Sequence, residues 1–103
     1  MATEFIDVLP VDELNVNAVK IVDAGGKRIL LANDEGDIRA VSAYCTHDGG
    51  DLDGEELDDH EVCCHRHGAR FDLRSGEATR MPAVFGLVTF ETKVEDGRIF
   101  VAV

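Results

Sequence analysis

The sequence predicts an all-β fold, an antiparallel sandwich or barrel with a small subdomain made of two hairpin loops. Short β-branched runs alternate with Gly, Asn, Asp and Ser turn residues at roughly 8–12-residue spacing, the rhythm of such folds. The 45% apolar content is carried mostly by Val, Ile and Leu, with no Trp and an aromatic share of 6%. The loop subdomain is predicted by two motifs, Cys45-Thr46-His47 and Cys64-His65-Arg66-His67, each offering one thiolate and one imidazole.

Phe5 to Leu9 reads as the first strand. The only helical candidate is a single turn near Val11-Asp12-Glu13-Leu14. Val19 to Val22 and Arg28 to Ala32 flank Gly25-Gly26, a dipeptide suited to a tight hairpin. Asn33-Asp34-Glu35-Gly36 has turn composition and leads into Ile38 to Ala43, which delivers Cys45. Glu61 to Cys64 is a short strand that delivers the second motif, and Arg70 to Leu73 leads away from it. Ser75-Gly76 is a turn. Leu87 to Val94 and Arg98 to Val103 form a closing hairpin around Glu95-Asp96-Gly97. Both motifs therefore sit at hairpin tips on a rigid scaffold, where functional groups concentrate.

With 103 residues the chain reads as one domain, 1–103, with the loop-bearing part at about 43–72. A chain this short buries only about two-thirds of its unfolded surface, so an inorganic staple would add stability. Three Cys is an odd number, and the first five residues, Met1 to Phe5, lack the charged and apolar regions of an export signal. Both features favour reduced thiols in a cytoplasm over a disulfide framework. The longest mostly apolar stretch, Met81 to Phe90, is about half a bilayer span and contains Pro82 and Gly86. A soluble protein is expected. The net charge of −11 argues against nucleic-acid binding, which needs Lys and Arg to neutralise phosphates. It favours a partner with a basic surface.

The two motifs carry the chemistry. A cluster whose two irons differ, one held by two Cys and the other by two His, requires this mixed donor set. The 16 residues between His47 and Cys64 let the loops fold back and face each other. Zinc is the competing reading, but structural zinc ligands are usually spaced by two or more residues. Here Thr46 alone separates the first pair, and tight chelation of one ion by that pair would be strained. A Rieske-type [2Fe–2S] centre is preferred, with zinc and a degenerate site as the alternatives.

Beyond these motifs, Cys64-x-x-His67-Gly68-Ala69-Arg70-Phe71-Asp72, Ser75-Gly76-Glu77-Ala78 and Pro82-Ala83 complete a pattern that resembles the bacterial Rieske-type ferredoxins. These are the electron-carrier components of aromatic-ring-hydroxylating oxygenase systems. The resemblance runs essentially end to end. It implies a Rieske-type sandwich or barrel, with Cys45 and Cys64 on the buried iron and His47 and His67 on the outer one. It also implies that the segment around Pro82 covers the cluster. The sequence departs from the family where His65 replaces the common Pro and Arg66 an apolar residue. His65 reads as a partly exposed loop side chain, Cys63 as a buried inert thiol and His60 as solvated among acids. Arg66 reads as an exposed surface cation, with a contact to the cluster or a partner as the alternative.

Respiratory members of this wider family carry an extra Cys in each loop, and the matching positions here are Gly50 and Arg66. They also place a Ser and a Tyr hydroxyl near the cluster, where this chain has Ala69 and Phe71. Hydrogen bonds to sulfur raise potential, so their loss points toward about −150 mV rather than about +300 mV. The expected function is a soluble one-electron carrier between an NAD(P)H-dependent flavoprotein reductase and a terminal oxygenase, not itself an enzyme. The alternative is the Rieske-like small subunit of a nitrite reductase or another multi-subunit redox enzyme. A monomer is expected. From Asp48 to Glu61 there are eight acids and no Lys or Arg. Asp48, Asp58 and Asp59, with Arg66, are candidate docking residues for basic patches on the partners. The competing reading of the acidic run is a solvated, salt-adapted face.

Overall fold

The computed structural model describes residues 4–43, 57, 60–63, 70–80 and 86–103, with Arg80 described by its backbone alone. Ten strands follow in chain order: β1 (Phe5–Pro10), β2 (Val19–Ala24), β3 (Lys27–Asp34), β4 (Asp37–Ser42), β5 (Glu61–Cys63), β6 (Arg70–Asp72), β7 (Ala78–Arg80), β8 (Thr89–Phe90), β9 (Thr92–Glu95) and β10 (Arg98–Ala102). A 3-10 turn at Val11–Glu13 follows β1, where the sequence suggests one helical turn. Among the described residues every strand pairing is antiparallel, in three sheets ordered β1-β10-β9, β2-β3-β4-β8 and β5-β6-β7.

Strand β3 explains how the sheets stack. Successive side chains of a strand point to opposite faces, and from Ile29 to Asp34 every residue of β3 is buried. Ile29 and Leu31 pack with Leu9, Ile99 and Val101 of the β1-β10-β9 sheet. Leu30 and Ala32 pack with Val62, Phe71 and Leu73, on or next to the β5-β6-β7 sheet. Strand β4 repeats the division, with Ala40 in the first cluster and Val41 in the second. The β2-β3-β4-β8 sheet is thus a middle layer between two apolar clusters, and the small sheet packs on one of its faces.

Turn chemistry closes the hairpins as expected. Ala24 pairs with Lys27 across Gly25 and Gly26, whose φ values of 57° and 83° are those of the twisted two-residue turn that favours glycine. Three boundaries differ from the sequence reading. Asn33 and Asp34 lie in β3, not in the turn, which narrows to Glu35 and Gly36. Strand β7 was not foreseen. The expected strand from Leu87 to Val94 breaks at Glu91, because Thr89 and Phe90 pair with β4 whereas Thr92 to Glu95 pair with β10. The chain changes sheets there. The side-chain hydroxyl of Thr92 donates to the Ile38 carbonyl at 2.8 Å, and the Glu91 carbonyl accepts from Ala102 N at 2.9 Å.

Candidate metal centre

The two expected ligand loops leave the scaffold from neighbouring points. Strand β4 ends at Ser42, and Ala43, fully buried, donates its N–H to the Arg28 carbonyl at 3.2 Å. Past Ala43 the chain continues to Cys45 and His47. Strands β5 and β6 pair Glu61 with Asp72, Val62 with Phe71 and Cys63 with Arg70. Residues 64–69, which contain Cys64 and His67, therefore join two strands already held side by side. Ala43, Val62 and Phe71 belong to one buried cluster, so the start of the first loop and the base of the second share a dry floor.

Polar contacts brace the second base. Arg70 Nε donates to Glu61 Oε1 at 2.6 Å, diagonally across the β5-β6 pair. Glu61, one of the eight acids of the 48–61 run, is thus engaged with a cation. Beyond β6, Arg74 donates its backbone N–H, Nε and Nη2 to the Asp72 carboxylate at 2.8, 3.1 and 2.8 Å. The Arg74 guanidinium holds the Asp72 carboxyl below its ordinary range, assisted by the charge of His60. A carboxyl lowered in this way stabilises the fold above its unfolded pKa, and that contribution is lost as pH falls through the folded value.

A third segment is tied down beside this base. The Gly76 N–H donates to the Asp72 carbonyl at 2.6 Å, and the Gly76 carbonyl accepts from Leu87 N at 2.6 Å. Gly76 has φ +80°, and a Cβ there would run into the Leu87 carbonyl oxygen. Only glycine lets the two backbones meet so closely. The ends of the segment that holds Pro82 are thereby fixed, by the β6-β7 pairing on one side and by Gly76 on the other.

Of the expected site residues, Cys45, His47, Cys64, His67, Ala69, Pro82, Asp48, Asp58, Asp59 and Arg66 lie outside the described residues, as does His65. Phe71 is described and fully buried. Cys63 is half-buried on β5, facing away from buried Val62, and not the buried thiol expected. His60 departs further from expectation. Its Nδ1 bonds the carboxylate of Asp34, which is only 3% exposed. A buried carboxylate needs such a partner, and this one comes from the segment expected to be solvated. Sequence inspection missed the pair because its members are 26 residues apart and Asp34 has turn composition.

The donor set suits a Rieske-type [2Fe–2S] cluster. Two thiolates and two imidazoles would match two unlike irons, and the segments expected to bear them leave the scaffold beside one apolar floor. Comparison with known proteins agrees. The profile of the Rieske [2Fe–2S] domain matches residues 4–91. The ferredoxin component of the naphthalene 1,2-dioxygenase/salicylate 5-hydroxylase systems of Ralstonia sp is 31% identical over 99 residues, covering 96% of this chain and 95% of the relative. The ferredoxin component of the naphthalene 1,2-dioxygenase system of Pseudomonas aeruginosa is 30% identical over 101 residues, covering 98% and 97%. The solved ferredoxin of carbazole 1,9a-dioxygenase from Nocardioides aromaticivorans IC177 superposes with a TM-score of 0.89 at 28% identity, covering 95% of this chain and 96% of that one. The cofactor is accordingly a Rieske-type [2Fe–2S] cluster, and the chain belongs to the Rieske [2Fe–2S] domain family.

Proposed function

We propose that the chain is a one-electron carrier that takes electrons from an NAD(P)H-dependent flavoprotein reductase and delivers them to a terminal oxygenase. The observation that carries this reading is the near end-to-end correspondence with ferredoxin components of dioxygenase systems. The cluster supplies the one-electron couple. Cys45 and Cys64 would hold one iron of the cluster, and His47 and His67 the other, on the side offered to the partner. Buried Phe71 and the apolar floor beneath the loops keep water from one side. The resemblance assigns the cover of another side to the segment around Pro82, whose flanking residues are fixed. No helix among the described residues is long and apolar enough to cross a membrane. A cytoplasmic monomer fits the reduced thiols and the acidic surface.

The direct test is stopped-flow reduction by candidate reductases, followed by reoxidation on adding oxygenase, with the midpoint potential measured alongside. A protein that no NAD(P)H-reductase pair can reduce, or whose reduced form oxidised oxygenase reoxidises only at the rate of air, is not this carrier. The acidic run supplies a second arm. Redox encounters are small and transient, so charge acts mainly on association. Transfer to the true partner should slow as ionic strength rises and the Debye length contracts to about 8 Å. Replacing Asp58 and Asp59 together by Asn should slow it at low salt and flatten the salt dependence. Rates indifferent to salt and to both substitutions would make the run a solubility feature.

The potential is expected in the negative part of the Rieske range. Phe71 lies where high-potential relatives carry Tyr, so Phe71→Tyr should place a hydroxyl within reach of a cluster thiolate. One added hydrogen bond of ~1 kcal/mol raises a one-electron potential by about 40 mV. An unchanged or lowered potential in a folded Phe71→Tyr protein would reassign the position.

A further inference from the structure

We propose that His60 is a positioning residue for the cluster. Held by the buried Asp34 carboxylate, it pins the sheet that leads to Cys64 and His67 onto the sheet that leads to Cys45 and His47. The inference rests on that ligand assignment.

Asp34 is the last residue of β3, and its side chain is 2% exposed. Its two oxygens are divided between partners. Oδ1 meets His60 Nδ1, and Oδ2 lies 3.5 Å from Nε of Arg39 on β4. Arg39 belongs to the same sheet as Asp34, so that ion pair stays within the middle layer. His60 does not. It immediately precedes β5, the strand that runs into Cys64, and its carbonyl accepts from Leu73 N at 3.0 Å, next to the end of β6. One residue thus joins the middle sheet, through its side chain, to both strands of the second loop, through its backbone. Because a carboxylate faces Nδ1, that nitrogen carries the proton and donates it, which also fixes the ring's orientation.

The need for such a pin follows from how the ligands are divided. Strand β4 leads to one Cys–His pair and β5 to the other, and these strands lie in different sheets. Four ligands around two irons tolerate little relative movement of their supports. The apolar cluster between the sheets is cohesive, but burial of apolar surface is non-directional. A hydrogen bond to a buried charge has both direction and strength.

The test uses the cluster-loaded protein and two substitutions at position 60. His60 has φ +69°. Glycine adopts that conformation without strain, so His60→Gly removes the side chain alone. Asparagine tolerates it too, and its amide nitrogen stands as many bonds from Cα as Nδ1 does, so His60→Asn keeps the donor. We expect His60→Gly to release iron to a chelator about 10- to 100-fold faster than the parent, matching the range by which metal affinity falls when a group that orients metal ligands is lost. Its dithionite-reduced EPR signal should be shifted or broadened, and His60→Asn should restore both. Parent-like release and EPR in the Gly protein, or an Asn protein as impaired as the Gly protein, would overturn the proposal. If the Gly protein fails to fold, Asp34→Asn weakens the same bond while keeping its shape. Faster release there supports the pin, and unchanged release overturns it. A parent protein with no rhombic Rieske signal would instead remove the ligand assignment on which the pin depends.

Discussion

Replacing His67 by alanine is expected to abolish the Rieske cluster. The oxidised parent should be brown, and after dithionite it should give a rhombic EPR signal of low average g value, because imidazole donates less charge to its iron than thiolate. On the proposed assignment, His67→Ala would open a coordination position that no neighbouring side chain is expected to fill. His65 stands directly beside Cys64 in sequence and is poorly placed to reach a second iron. His47→Ala should behave like His67→Ala, whereas Cys63→Ser and His65→Ala should keep the signal. Cluster content is read from iron and acid-labile sulfide, and cluster type from EPR. An equally stable Rieske signal in the His67→Ala protein would refute the ligand assignment. Stoichiometric zinc without sulfide in the parent would refute the redox function with it.

A large stability loss is expected at Gly76. Two costs add there. A residue with a Cβ at φ +80° pays roughly 1–2 kcal/mol for the left-handed conformation. The added methyl group also meets the Leu87 carbonyl, a backbone atom that cannot swing aside, and Thr89 Cγ2 at 3.0 Å. Forcing extra volume into a packed site costs about 1–3 kcal/mol more. Gly76→Ala should therefore lose about 3 kcal/mol, seen as an earlier midpoint in denaturant unfolding. Gly97→Ala is the matched control, since Gly97 has φ +75° with open space where its Cβ would lie. It should show the conformational cost alone. Equal losses at the two positions would mean that the Gly76–Leu87 approach relaxes freely and does not hold the Pro82 segment.

Most of the scaffold was legible because it follows from local rules. The Gly25-Gly26 and Asp96-Gly97 turns announce their hairpins, and the apolar runs around Leu30 and Ile99 mark strands. The expected donor set rests on a different reason: Cys and His at a one-residue spacing have few structural uses outside a mixed-ligand cluster. Three features were hidden. Leu87 to Val94 carries strand-forming residues throughout, so nothing local reveals that Glu91 separates two partners, β4 before it and β10 after it. Ala78–Arg80 is a strand only because β6 lies beside it. The Asp34–His60 bond links a turn-forming residue to an apparently solvated one, and only the fold brings them together. In each case the missing information is which distant segment lies alongside.

Strand β3 has a further consequence. Its apolar residues Ile29, Leu30, Leu31 and Ala32 are divided evenly between two clusters, so a slip by one position would exchange one apolar set for another. For a strand with one wet face such a slip is prohibitive. Here hydrophobicity supplies adhesion but no address. The address is written in the two polar residues that end the strand. Asn33 donates Nδ2 to the Leu14 carbonyl at 2.9 Å, on the side of one cluster, and Asp34 reaches His60 on the side of the other. A slip one way would leave the Leu14 carbonyl opposite Ala32 without its donor, and a slip the other way would set the Asp34 carboxylate against that carbonyl. Alignment of the middle layer is thus encoded by a pair of hydrophilic side chains where greasy ones would have been equally sticky.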